Sequence, residues 1–258
     1  MLSFDVTTTD GPMRTSLHTP AGTGPWPAVI LVTDAGGPRP AFDAMAQRLA
    51  DHGFAVAVPD LFHRVGTPFA LLPDGGPSRD GRPLFAALRS DPAIRTALLE
   101  RYVPSAANPD HVKRDLGALL TALTTRPEVK AGPVGLSGYC MGGGICLRAA
   151  ALFPERVAAV ASFHGGHLAT TAPDSPHLGL PSVKAEVLVA GAEEDPSFSP
   201  ELQERLVAAL RHAGLRHHVE VWAGARHGFS VSDSPVFRAE FGARHDAELL
   251  ALMQRALT

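Results

Sequence analysis

The chain has 258 residues, 45% of them hydrophobic, and a formal net charge of -3, which suits one domain over residues 1–258 with a sizeable core. Its basic residues are scattered, which excludes a nucleic-acid or anionic-membrane footprint, and no apolar run is long enough to span a bilayer. Charged Asp5 and Asp10 come early, where a signal peptide would place a basic and then an apolar region, and two cysteines do not make a disulfide scaffold, so a soluble, cytoplasmic monomer or small homo-oligomer is expected.

Taken in order, Leu2 to Thr9 reads as an edge strand, paired with Met13 to Thr19 across a turn at Asp10-Gly11-Pro12. After a loop, Ala28 to Thr33 is an almost wholly apolar run, as a parallel strand covered on both faces requires. It stops at Asp34-Ala35-Gly36-Gly37-Pro38. The spacing of Phe42, Met45, Ala46, Leu49 and Ala50 predicts a helix over Pro40 to Asp51, stopped by Gly53. Phe54 to Val58 is the next buried strand, which completes a right-handed β-α-β unit with adjacent parallel strands. Residues 61–83 read as loop, and Pro83 to Tyr102 as one helix broken near Asp91-Pro92. A helix over Pro109 to Leu123 carries an apolar stripe of Leu116, Leu119, Leu120 and Leu123.

Pro133 to Leu136 then leads as a strand into Gly138-x-Cys140-x-Gly142, followed by a helix from Gly142 to about Leu152. Val157 to Phe163 is a strand ending at His164-Gly165-Gly166-His167, and residues 169–183 a loop. Val187 to Ala190 is a strand running into Gly191-Ala192-Glu193-Glu194-Asp195. Pro200 to His212 is a helix, His217 to Trp222 the last strand, Gly224 to Phe229 a loop, and Pro235 to Leu257 a terminal helix bent near Gly242. Alternating strands and helices predict an α/β fold, a mostly parallel central sheet with helices on both faces.

The stretch around Cys140 carries the chemistry. The pattern is the G-x-S-x-G nucleophile elbow with cysteine in the serine position. Amides at the start of the following helix can receive an oxyanion and favour a thiolate. In such sheets reactive groups lie outside the carboxyl ends of the strands. Asp34, Cys140, His164, Asp195 and the loop carrying His227 all follow predicted strands. Nucleophile, acid and base in the chain order Cys140, Asp195, His227 match the order known for this elbow. Glu193 and Glu194 are neighbouring alternatives for the acid. Cys146 reads as a core thiol. His164 and His167 are close together, yet no His-Glu-x-x-His motif or paired Cys-x-x-Cys is present, and Gly142-Gly143-Gly144 lacks a dinucleotide or phosphate-loop context. No metal and no cofactor are expected.

With these motifs the sequence resembles the dienelactone hydrolase family of the α/β-hydrolase superfamily over nearly its whole length. The resemblance rests on Gly138-Tyr139-Cys140-Met141-Gly142-Gly143, Gly191-Ala192-Glu193-Glu194-Asp195, Gly224-Ala225-Arg226-His227-Gly228-Phe229 and Pro59-Asp60-Leu61-Phe62. It implies a hydrolase acting on a small ester or lactone, with Cys140 as nucleophile, Asp195 as acid, His227 as base, and the amides of Met141 and Ala35 as oxyanion donors. Family enzymes place a glutamate near the resting cysteine, where it helps control the thiol's charge. Asp34 takes that place here and is one methylene shorter, so it is a candidate modulator or pocket residue, with His164 a second pocket candidate. The arginine that the best-known members carry shortly after the histidine is absent from Phe229-Ser230-Val231-Ser232-Asp233. The competing expectations are a non-enzymatic redox or ligand-binding protein on the same scaffold, and an acyltransferase or peptidase variant.

Overall fold

The computed structural model describes residues 1–258. Its eight strands are Leu2–Thr8 (β1), Gly11–His18 (β2), Ala28–Val32 (β3), Ala55–Pro59 (β4), Val134–Tyr139 (β5), Val157–Phe163 (β6), Glu186–Glu194 (β7) and His217–Arg226 (β8). They form one sheet in the order β1-β2-β4-β3-β5-β6-β7-β8. β1, β2 and β4 pair antiparallel, and every pair from β4 through β3 to β8 is parallel. Every residue of β3, β4 and β5 is buried, which is why their sequences are apolar or small without alternation.

The main helices are Pro40–Ala50 (α1), Gly81–Ser90 (α2), Pro92–Ala97 (α3), Val103–Ala107 (α4), Pro109–Leu123 (α5), Met141–Leu152 (α6), Pro200–His212 (α7) and Ala239–Leu257 (α8). Side chains of α5, α6 and α7 pack with Ile30, Leu136 and Val160 on one face of the sheet. Side chains of α1 and α8 pack with Val29, Leu31 and Ala161 on the other. This is the α/β-hydrolase architecture expected from the alternating elements. No helix is long and apolar enough to cross a membrane.

Several boundaries differ from expectation for physical reasons. The hairpin turns at Thr9-Asp10, with Thr8 opposite Gly11, so Gly11 and Pro12 belong to β2. Strand β5 continues through Gly138 because Gly135 and Gly138 are held by neighbours on both sides. Glycine is needed at 135: a Cβ there would lie 2.2 Å from the sulfur of Met253 on α8. Strands β7 and β8 both run past their expected ends, since each supplies the other's ladder as far as Glu194 opposite Arg226.

Residues 68–71 and 176–182 form short 3-10 turns within the expected loops. The expected break at Asp91-Pro92 separates α2 from α3, where the Asp91 carboxylate accepts from the amides of Ala93 and Ile94. Helical structure then continues through a π-type turn over Leu98–Tyr102 into α4, beyond the expected end. Pro235 lies outside α8, which starts at Ala239.

Candidate active site

The register of the parallel strands builds the site. Across β3 and β5, Val32 pairs with Gly138, so Asp34 and Cys140 each lie two residues beyond. Across β5 and β6, Tyr139 pairs with Phe163, and Cys140 and His164 each follow by one. Across β7 and β8, Glu194 pairs with Arg226, and Asp195 and His227 each follow by one. Neighbouring parallel strands lie about 4.8 Å apart. Asp34, Cys140, His164, Asp195 and His227 are thus brought to one end of the sheet, the carboxyl end.

Cys140 occupies the turn between β5 and α6 with φ of 54° and ψ of -118°. A positive φ is uncommon outside glycine and stores strain of about 1–3 kcal/mol. The flanking glycines have a different role. A Cβ at Gly138 would lie 2.1 Å from the Gly142 carbonyl oxygen, and one at Gly142 would lie 2.4 Å from the Val32 carbonyl oxygen. They are glycines because backbone meets backbone, while Cys140 between them takes the strained dihedral.

Between the β7 and β8 ends, the Nδ1 of His227 and the Oδ2 of Asp195 are 2.6 Å apart. The Asp195 side chain is almost fully buried, and about a third of His227 is exposed. The other ring nitrogen is left for Cys140. Burial alone would lower the His227 pKa. The charge of Cys140, the hydrogen bonds to Asp195 and Cys140, and the Asp195 charge outweigh it and hold the imidazole well above its ordinary value. For Asp195, burial pushes upward, and His227 and Ser197 together pull its carboxyl below the ordinary value.

Ser197 has no counterpart among the residues anticipated from sequence. Its hydroxyl donates to Asp195 Oδ1 at 2.6 Å and its amide donates to the same oxygen at 2.9 Å. The Asp195-Pro196-Ser197 spacing is the available sequence signal, because an aspartate readily accepts from an amide two residues on.

Met141 is the first residue of α6, where an amide has no preceding helical turn to donate to. Ala35 sits in the turn after β3, closed by the Gly37 amide donating to the Asp34 carbonyl at 3.0 Å. The Gly36 amide donates to Asp34 Oδ1 at 2.8 Å. The Asp34 carboxylate is committed elsewhere: Arg39 Nη1 donates to Oδ1 at 2.6 Å and Nη2 to Oδ2 at 2.8 Å. It makes no hydrogen bond to Cys140.

His164 is fully buried, with φ of 41°. Its Nε2 lies 3.0 Å from the Ser230 hydroxyl, and its Nδ1 has no partner. Its ring meets that of His227 edge-on at 5.2 Å. Burial and the neighbouring His227 keep its pKa well below the ordinary value. Cys146 is buried on α6, and burial pushes its thiol up. His167 lies outside the cleft lining, and no three His, Cys, Asp or Glu side chains are grouped to hold a metal ion.

A cleft of about 230 Å³ opens over Cys140 and His227. Its other walls include Asp34, Ala35, His164, Pro235 and Val236, with Phe85, Leu88 and Arg89 projecting from α2. The α2 wall was not anticipated residue by residue, since the insertion after β4 shows only short, proline-broken helices in sequence.

The model of the dienelactone hydrolase family matches residues 13–257. The chain belongs to that family. It is a hydrolase of the dienelactone-hydrolase type, and its relatives agree along nearly the whole length. A carboxymethylenebutenolidase from Rhodococcus opacus is 25% identical over 233 residues, 90% of this chain and 81% of that protein. A candidate dienelactone hydrolase from Klebsiella pneumoniae has the same fold, with a TM-score of 0.81 at 21% identity, covering 98% of this chain and 97% of that one. A dienelactone-hydrolase-like promiscuous phosphotriesterase from metagenomic libraries superposes with a TM-score of 0.73 at 25% identity, covering 100% and 99%.

Proposed function

We propose that the chain hydrolyses a small ester or lactone through a thioester on Cys140, with His227 as base and acid and Asp195 as its orienting carboxylate. The observation that carries this reading is the 2.6 Å contact of Asp195 with His227 Nδ1, which fixes the tautomer and turns the other nitrogen toward the strained Cys140. A ring oriented in that way speaks for turnover rather than for a scaffold that only binds ligand or cycles its thiol.

In the first half-reaction the Cys140 sulfur, as thiolate, attacks the substrate carbonyl. The electron pair moves to the carbonyl oxygen, which the amides of Met141 and Ala35 receive. Donors placed for that developing charge are commonly the largest catalytic contribution. The tetrahedral adduct collapses, the carbon–oxygen bond to the leaving group breaks, and His227 delivers its proton to the alkoxide. In the second half-reaction His227 takes a proton from water, the hydroxide adds to the thioester, and Cys140 leaves as thiolate with release of the acid. With a lactone the leaving alcohol remains tethered to the acyl group, and the modest cleft, with Phe85 and Leu88 beside Arg89 on its α2 side, suits a compact ring or a short ester.

The test is turnover of a panel of activated aryl esters, small lactones and, because of the metagenomic relative, an aryl phosphotriester. Cys140→Ala is expected to remove ester turnover, and mass spectrometry of the wild type quenched during turnover should find the acyl group on the peptide carrying Cys140. Undiminished ester hydrolysis by Cys140→Ala would rule the reading out.

A further inference from the structure

The chemistry proposed for Cys140 leaves one fully buried charged group without a role. Arg39 has no exposed side-chain surface, yet it bridges two carboxylates far apart in sequence. It holds both oxygens of Asp34, and its Nη1 also donates to the Gly37 carbonyl at 3.1 Å. The guanidinium therefore braces the turn that contains Ala35 from the inside. Gly36 makes room for it, since a Cβ there would lie 2.8 Å from Arg39 Nη1.

On its other edge the guanidinium donates to Asp233, from Nε to Oδ2 at 2.7 Å and from Nη2 to Oδ1 at 3.0 Å. Asp233 lies in the segment that follows His227. Its Oδ2 also accepts from the amide of Gly81, the first residue of α2, at 2.8 Å. A Cβ at Gly81 would meet that same oxygen at 2.8 Å, so a side chain there would push the helix away. The guanidinium further lies 5.3 Å from the ring of Phe85, a cleft residue on α2. One planar cation thus ties together the Ala35 turn, the segment after the base, and the helix that walls the cleft. Bidentate geometry on both edges is what arginine supplies and lysine does not.

We propose that Asp34, Arg39 and Asp233 form a positioning clamp on the reaction, which fixes the Ala35 amide for the oxyanion and seats α2 over the cleft. Asp34 acts on catalysis through Arg39, and the charge of the Cys140 thiol is set without it. The clamp rests on the proposed role of Cys140 and Ala35, and its test separates the two.

The full chain is compared with Arg39→Lys, Asp34→Asn and Asp233→Asn, the last two keeping the shape and an acceptor oxygen if the first fails to fold. Three quantities are read: the rate of Cys140 acylation by an activated aryl ester, the pH profile of Cys140 alkylation by iodoacetamide, and the melting temperature. Alkylation needs the thiolate but no oxyanion donor. Arg39→Lys and Asp34→Asn are expected to slow acylation by about 10- to 100-fold, the effect of a small misplacement of a catalytic group, with the alkylation profile unmoved. Asp233→Asn is expected to raise KM for a bulky ester more than for an acetate, because α2 loses its seat.

Acylation within about twofold of wild type in every folded variant, with only melting lowered, would reduce the network to a structural tie and overturn the clamp. An alkylation profile that shifts in Asp34→Asn would overturn it too, since Asp34 would then act on the thiol. Wild-type enzyme that keeps its ester turnover after complete alkylation of Cys140 would instead sink the nucleophile assignment on which the clamp stands.

Discussion

The pairing of Asp195 with His227 makes the histidine's charge depend on a carboxylate that is itself almost fully buried. In the fold the His227 pKa is raised, and the Asp195 charge is one of the causes. Asp195→Asn keeps the shape and removes that charge, so the His227 pKa should fall and the imidazolium should be lost at lower pH. The alkaline limb of kcat/KM is therefore expected to move toward neutral pH, with turnover reduced about 100-fold or more, the span typical of a lost acid–base partner. A pH–rate profile of the two proteins checks both outcomes. Cys140, Asp195 and His227 were legible in sequence because glycine spacing and chain order constrain them together. Arg39 was not: its partner Asp233 is 194 residues away, and nothing local distinguishes an arginine that will be buried.

Among the elements, the β5–α6 junction is the one whose sequence is most tightly dictated by backbone approach. Gly138→Ala would set a methyl group 2.1 Å from the Gly142 carbonyl oxygen, and neither backbone has room to withdraw. Loss of the folded protein from the soluble fraction, or a melting temperature lowered by about 10 °C or more, the shift that about 3 kcal/mol or more of overpacking would give, is the expected result. Gly144→Ala, two residues further along α6 than Gly142, meets the ring of Pro176 at 3.3 Å and Leu168 Cδ2 at an ordinary 3.9 Å. It should melt within a few degrees of wild type, because a slight shift of that ring is offset by the better helix propensity of alanine, about 1 kcal/mol. Thermal melts of the two variants side by side separate close backbone approach from mere glycine abundance. The same logic explains why the ends of β5 and β7 were read short. Gly138 and Gly191 look like loop residues by propensity, and only the neighbouring elements show that a side chain would not fit.

At the scale of the molecule, two buried histidines set its response to acid. His164 and His245 both have pKa values lowered from 6.5, in each case chiefly by burial. His245 stays in place through the Tyr139 hydroxyl at 2.7 Å and Asp246 at 2.9 Å. The unfolded chain binds protons on these groups at a pH where the folded chain does not, so stability is full above about 6.5 and declines as pH falls from there toward the depressed folded values. His227 has the opposite sign: its raised value gives a contribution that is full below about 6.5 and fades as pH climbs through the folded value. The melting temperature is expected to drop between about pH 6.5 and 5, and the drop should be shallower in His245→Gln than in wild type, whatever that variant's melting temperature at neutral pH. Equal slopes would show that other groups govern the acid limb. The architecture behind these effects followed from the alternation of apolar runs and amphipathic helices. The insertion between β4 and α5 did not, because its helices are short, interrupted by proline, and held to the rest through contacts such as Asp233 with Gly81.

The backbone of Cys140, at φ of 54°, has one further consequence. A side chain of any kind is held there against the preference of an L-residue, and glycine would relax the turn. The glycines of the elbow serve close backbone packing, whereas the side chain at position 140 is held at a dihedral that glycine would take more easily. The reactivity proposed for Cys140 and the ease of the turn therefore pull this one residue in opposite directions, and the sequence that would best relax the turn is not the one that could carry the proposed chemistry.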